Sequence, residues 1–149
     1  MKIFFSLFLF FLSSNLLGDE SKISYIEIES DELIIRENLL LSEFVGNVYA
    51  KNDVNHFWGD KIIINYSTNK KIELITIIGN VIIKRLGEKL TGDKAIYNLP
   101  LNKITVNGNV SIIRDKNMLN GDELIIDLIT STSIIKANKN KQVSAKVIK

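Results

Sequence analysis

Two short signals alternate along this chain at fixed spacing. Gly-Asn-Val occurs at Gly46, Gly79 and Gly108, and Gly-Asp follows each 13 residues later, at Gly59-Asp60, Gly92-Asp93 and Gly121-Asp122. A degenerate copy, Ser30-Asp31-Glu32-Leu33, lies one repeat upstream, so the Gly-Asp positions are 29, 33 and 29 residues apart. A unit of this size cannot bury its own apolar face and is stable only when stacked on copies of itself. The repeat sets the architecture before any single residue does.

Within each repeat the apolar residues alternate with period two, and isoleucine, valine, tyrosine, phenylalanine and threonine give a strongly β-prone composition. After each Gly-Asp one side carries Leu33 and Ile35; Ile62, Ile64 and Tyr66; Ala95, Tyr97 and Leu99; Leu124, Ile126 and Leu128. Arg36, Asn65, Asn98 and Asp127 take the other side. Around Gly-Asn-Val the inward parity holds Phe44, Val48 and Ala50; Ile75, Ile77, Val81 and Ile83; Ile104, Val106, Val110 and Ile112. By this count the glycine of each Gly-Asn-Val also points inward.

At Gly-Asp the parity breaks. Ile28, Phe57, Leu90 and Leu119 lie five residues before the next inward position, and an odd step demands a bulge or corner. Corners repeated layer by layer fold a sheet over on itself, and Asn-rich turns such as Ser67 to Lys70 and Leu99 to Asn102 reverse the chain. The expected fold is all-β: a twisted, open stack of two facing antiparallel layers, each repeat adding a rung to both. Its first and last strands leave unpaired backbone groups that invite another chain.

Residues 1–18 read as a secretory signal peptide. Lys2 precedes an apolar run from Ile3 to Leu12, which is too short for a bilayer core that needs about 20 residues. An uncleaved short anchor is the alternative. With no cysteine in the chain, neither disulfides nor a lipid-modified N-terminal cysteine is available. Residues 19–137 form the expected domain, and 138–149 a Lys-rich tail or edge strand. That tail is either a solvated end or a basic lip for an anionic partner. The charge is nearly balanced, 19 basic against 17 acidic residues, which gives no field for nucleic acid.

Catalytic chemistry has no parts here. His56 is the only histidine, so zinc sites and Ser/His/Asp or Cys/His nucleophiles are missing their components, and no metal or other cofactor is expected. Asp60, Asp93 and Asp122 recur one per rung after a glycine, where aspartate bonds its own backbone, and they read as structural. Trp58 takes the outward place held by Thr91 and Asn120 in other repeats, which marks it for surface packing or for contact with lipid or partner.

Gly46-Asn47-Val48, Gly59-Asp60-Lys61 running into Ile62 to Tyr66, Gly79-Asn80-Val81 and Gly92-Asp93-Lys94-Ala95-Ile96-Tyr97 together resemble the OstA/LptA family of periplasmic lipopolysaccharide-transport proteins. The resemblance runs from about Tyr25 to Ala137. It implies an open β-jelly roll that bridges inner and outer membranes and carries lipopolysaccharide by its lipid A acyl chains. Implied partners, met by β-strand addition, are an inner-membrane-anchored subunit, an outer-membrane translocon and further copies of the chain head to tail. The lipid-binding residues would be the inward set: Phe44, Val48, Ala50, Ile62, Ile64, Tyr66, Ile75, Ile77, Val81, Ile83, Ala95, Tyr97, Leu99, Val106, Val110, Ile112, Leu124, Ile126 and Leu128. Two other readings share the pattern: a membrane-tethered subunit of the same system, and a dry structural repeat protein of the envelope.

Overall fold

The structure, a computed structural model, describes residues 25–148. The apolar leader read at 1–18 lies outside the described residues. The strands are β1 (Glu27–Glu29), β2 (Glu32–Arg36), β3 (Leu41–Asn52), β4 (Asn55–Tyr66), β5 (Ile72–Arg85), β6 (Glu88–Asn98), β7 (Lys103–Arg114), β8 (Asn117–Asp127), β9 (Thr132–Lys136) and β10 (Ser144–Lys146). They form one sheet in the order β1-β3-β4-β5-β6-β7-β8-β10, with β2 also on β3 and β9 also on β8. Every pairing is antiparallel.

The chain is all-β, and the two expected layers are halves of a single folded sheet. Strands β3 to β8 each run through both halves and bend midway. Layer one holds β1, β10 and the halves joined by the tight loops Asp53-Val54, Leu86-Gly87 and Asp115-Lys116. Layer two holds β2, β9 and the halves joined by the longer turns.

The bend comes from the glycine signals acting in pairs. Val45 pairs with Lys61 and Val48 with Gly59, so Gly46-Asn47 stands opposite the single residue Asp60. The same two-against-one bulge places Gly79-Asn80 opposite Asp93, and Gly108-Asn109 opposite Asp122. An extra residue on one strand bends it and increases its twist. The odd step at Gly-Asp is thus matched by two residues on the neighbouring strand.

The two kinds of glycine serve different needs. Gly59 and Gly92 lie in the crease, where an added Cβ would strike Ile77 and Val106, so they permit close approach of the halves. Gly46, Gly79 and Gly108 adopt left-handed φ of +81°, +78° and +79°. A Cβ on them would meet the carboxylates of Asp31, Asp60 and Asp93 at the outer corner. The alternation count had turned these three glycines toward the core; counting by two fails across a two-residue bulge.

The aspartates bond the strand that follows them rather than their own backbone. Asn47 Nδ2 donates to Asp31 at 2.7 Å, Asn80 to Asp60 at 3.0 and 3.2 Å, and Asn109 to Asp93 at 3.0 Å. Asp122 instead accepts from the Asn138 backbone N–H at 2.8 Å and from Lys141 Nζ at 3.3 Å. There β9 ends at Lys136, and β10 takes up the other half of β8 after an irregular span.

Candidate functional site

Between the layers, on the side of β1 to β6, lies an apolar cavity of about 380 Å³. Of the inward residues read from the sequence, Ala50, Ile62, Ile64, Ile75, Ile77, Ile83, Ala95, Tyr97 and Leu99 line it. Tyr25, Ile26, Ile28, Phe57, Ile72, Leu90, Ile96 and Ile104 complete the apolar wall. Ala50 and Ala95 offer only a Cβ to the interior, which leaves the layers room to part there.

The remaining inward residues sit elsewhere. Val48, Val81, Val106, Val110, Leu124 and Ile126 are at most 1% exposed and, with Ile112, fill the crease and the β7–β8 end. Phe44, Tyr66 and Leu128 pack partly buried against that core. One alternating pattern therefore yields a closed end and an open one. At the first edge Leu33 and Ile35, which the same parity turns inward, are 51% and 64% exposed because no further strand covers them.

The cavity mouth is asymmetric. Layer two contributes Ile72 and Leu99 there. Layer one ends in a polar rung, in which register pairs Asn52 with Asn55, Asn55 with Arg85, Arg85 with Glu88, Glu88 with Arg114, and Arg114 with Asn117. Asn52 and Asn55 belong to the cavity wall. Asn55 and Glu88 are only 7% and 6% exposed. Burial pushes the Glu88 carboxyl above its ordinary range, against the pull of Arg114 and Arg85. Sequence reading missed this rung because polar residues beside a hairpin loop read as solvated. The signal was there: they continue the inward parity of Ala50, Phe57, Ile83, Leu90 and Ile112.

On the outer face of layer one, Trp58 stacks with His56 and packs on Tyr49, whose hydroxyl meets His56 Nδ1 at 2.8 Å. Lys84 Nζ lies 5.4 Å from the Trp58 ring centroid, within cation–π range. The outward tryptophan is thus part of a surface aromatic cluster. On layer two, Glu43 bridges Lys61 and Arg36, which hold its carboxyl below the ordinary range.

A folded-over sheet with unpaired edges and an apolar cleft defines an open β-jelly roll. The profile of the family described as LptA/(LptD N-terminal domain) LPS transport protein matches residues 27–132, and the chain belongs to that family. The family is one of transport proteins rather than enzymes. Among solved structures the chain is similar to LptH of Pseudomonas aeruginosa, the LptA-homologous periplasmic component of a lipopolysaccharide transport device. That match has a TM-score of 0.70 at 13% identity and covers 84% of this chain and 96% of that one, a likeness of fold. No curated protein matches the chain. No helix among the described residues is long and apolar enough to cross a membrane.

Proposed function

We propose that this chain is a periplasmic bridge component that carries lipopolysaccharide from the inner to the outer membrane. The observation that carries this reading is the apolar cavity of about 380 Å³ between the layers, within the size range of ligand sites, roughly 300–1,000 Å³. Each methylene kept from water contributes about 0.8 kcal/mol. A chain of about a dozen carbons then costs on the order of 10 kcal/mol to expose, and a continuous apolar wall offsets this without any strong single contact. Family membership and the likeness to the periplasmic LptH support the same assignment.

The edges supply the means of assembly. Strands β1 and β2 present free backbone groups on one side of the sheet and β9 and β10 on the other, so partners or further copies add as strands. The inner-membrane-anchored subunit and the outer-membrane translocon are the partners this reading implies. The Lys-rich segment after Ala137 takes part through β10.

Ala50→Phe tests the assignment by filling the cavity with an apolar ring. The variant is expected to keep its β-sheet circular dichroism while losing lipopolysaccharide that co-purifies with the wild-type chain, read by mass spectrometry. A wild-type chain that carries no lipopolysaccharide from a Gram-negative envelope and takes up none when it is added would instead be the dry structural repeat.

A further inference from the structure

The apolar cavity has one polar atom out of place. Asn55 stands at the inward end of β4, 7% exposed, in a wall it shares with Ala50, Phe57 and Ile83. Its Oδ1 has no hydrogen-bond partner among the described residues. Native folds pair buried polar atoms almost without exception. The register neighbour Arg85 does not supply the donor, which leaves this acceptor, in a ligand-sized cavity, open to one carried by a bound molecule. The neighbouring Asn52, in the same wall, donates its Nδ2 to the Tyr25 carbonyl at 2.9 Å.

We propose that Asn55 determines specificity by accepting a hydrogen bond from a hydroxyl or amide N–H that the bound amphiphile carries beside its acyl chain. The inference rests on the groove reading given above and deepens it. Below Asn55 the wall of layer one is hydrocarbon, so the chain runs inward past Phe57 and Ile83. Across the mouth Ile72 and Leu99 offer no acceptor side chain, and the hydroxyls in the wall are those of Tyr25 and Tyr97. The donor must therefore lie at the junction of chain and headgroup, at the level of the polar rung. A plain fatty chain satisfies the cavity but leaves the Asn55 carbonyl unpaired, and the site discriminates against it because an unmet buried acceptor is penalised more than a met one is rewarded.

The test uses the purified chain and three probes of equal chain length: myristate, β-hydroxymyristate and N-myristoylglycine, each displacing the fluorophore N-phenylnaphthylamine. The wild type is expected to prefer a donor-bearing lipid over myristate by about five- to tenfold, the worth of one hydrogen bond to a buried acceptor. Preference for β-hydroxymyristate assigns the donor as a hydroxyl, and preference for N-myristoylglycine as an amide. Asn55→Leu should bind all three alike and, having lost an unpaired buried carbonyl, should melt no lower than the wild type. Equal binding of the three probes by the wild type overturns the role of Asn55 and leaves the groove standing. Binding of none removes the groove reading and this inference together. Should Asn55→Leu fail to fold, Asn55→Ala, which also removes the acceptor, makes the same comparison. A preference that survives in a folded Asn55→Leu overturns it.

Discussion

The interior corners at Asp60 and Asp93 and the terminal corner at Asp122 solve one problem with different parts. At the first two, a left-handed Gly-Asn bulge on the following strand brings an asparagine amide to the carboxylate. At the third there is no such bulge: the chain leaves β9, and a backbone N–H with a lysine ammonium takes the place of the amide. The sheet bends at all three places. What the corner requires is a donor for the carboxylate, and Gly-Asn is the form of it that lets a strand continue unbroken into the other layer. Where the strand need not continue, at the edge, the chain gives up the glycine.

The largest expected effect tests the interior geometry. Gly79→Ala forces a side chain into left-handed backbone and drives its Cβ into the Asp60 carboxylate. We expect a loss of about 3 kcal/mol in urea denaturation. Gly87→Ala provides the contrast, since its φ is +83° but nothing lies within 4 Å of the added Cβ. It should lose only the conformational part, about 1 kcal/mol. Equal losses would mean that crowding by aspartate plays no part at the corner.

A double-mutant cycle sharpens the point. Asp93→Ala alone should lose about 1 kcal/mol by abandoning the Asn109 amide. Gly108→Ala alone suffers both strain and collision with that carboxylate. Together they should be milder than their sum by about 1 kcal/mol, because removing the carboxylate opens the space the methyl needs. Strict additivity would separate the aspartate from the glycine.

Next comes the terminal corner. Asp122→Ala is expected to leave the β3–β8 body nearly unchanged while hydrogen-exchange protection in β9 and β10 falls about tenfold. The dependence on pH has a fixed sign. The Asn138 N–H, and after it Lys141, hold the Asp122 carboxyl below its ordinary range against the effect of burial. A carboxylate lowered in the folded state contributes stability above its unfolded value, and that contribution is lost as pH falls through the folded value. Acidification below the ordinary carboxylate range should therefore loosen β9 and β10, and Asp122→Asn should blunt the response. Loss of protection spread evenly over all strands would erase the distinction between the corners.

Much of this fold was legible from residues alone, because each glycine signal states a backbone demand and repetition makes the demand hard to miss. The aspartate–asparagine pairs were legible too, though only by a different count: their separations are 16, 20, 16 and 16 residues, and the last is Asp122 to Asn138. The candidate site was less so. Alternation is the same for Ile126 in the closed end and Ile64 in the cavity, since both face inward and only the packing from the opposite layer tells them apart. Asn55 and Glu88 escaped for the opposite reason. Polarity beside a tight hairpin loop ordinarily means water, and only the folding over of layer two buries it.

The smallest expected effect decides which donor holds the terminal corner. Lys141 reaches Asp122 at 3.3 Å, but its side chain is 64% exposed and must give up rotamer freedom to stay there. Exposed ion pairs of this kind contribute little and weaken with salt. The Asn138 N–H at 2.8 Å is fixed by the chain itself. Lys141→Ala should therefore change protection of β9 and β10 by less than about twofold, and added salt should do no more. If Lys141→Ala loosens that edge as far as Asp122→Ala does, charge rather than a backbone donor closes the last corner. The terminal solution would then be an ion pair, different in kind from the interior hydrogen bonds.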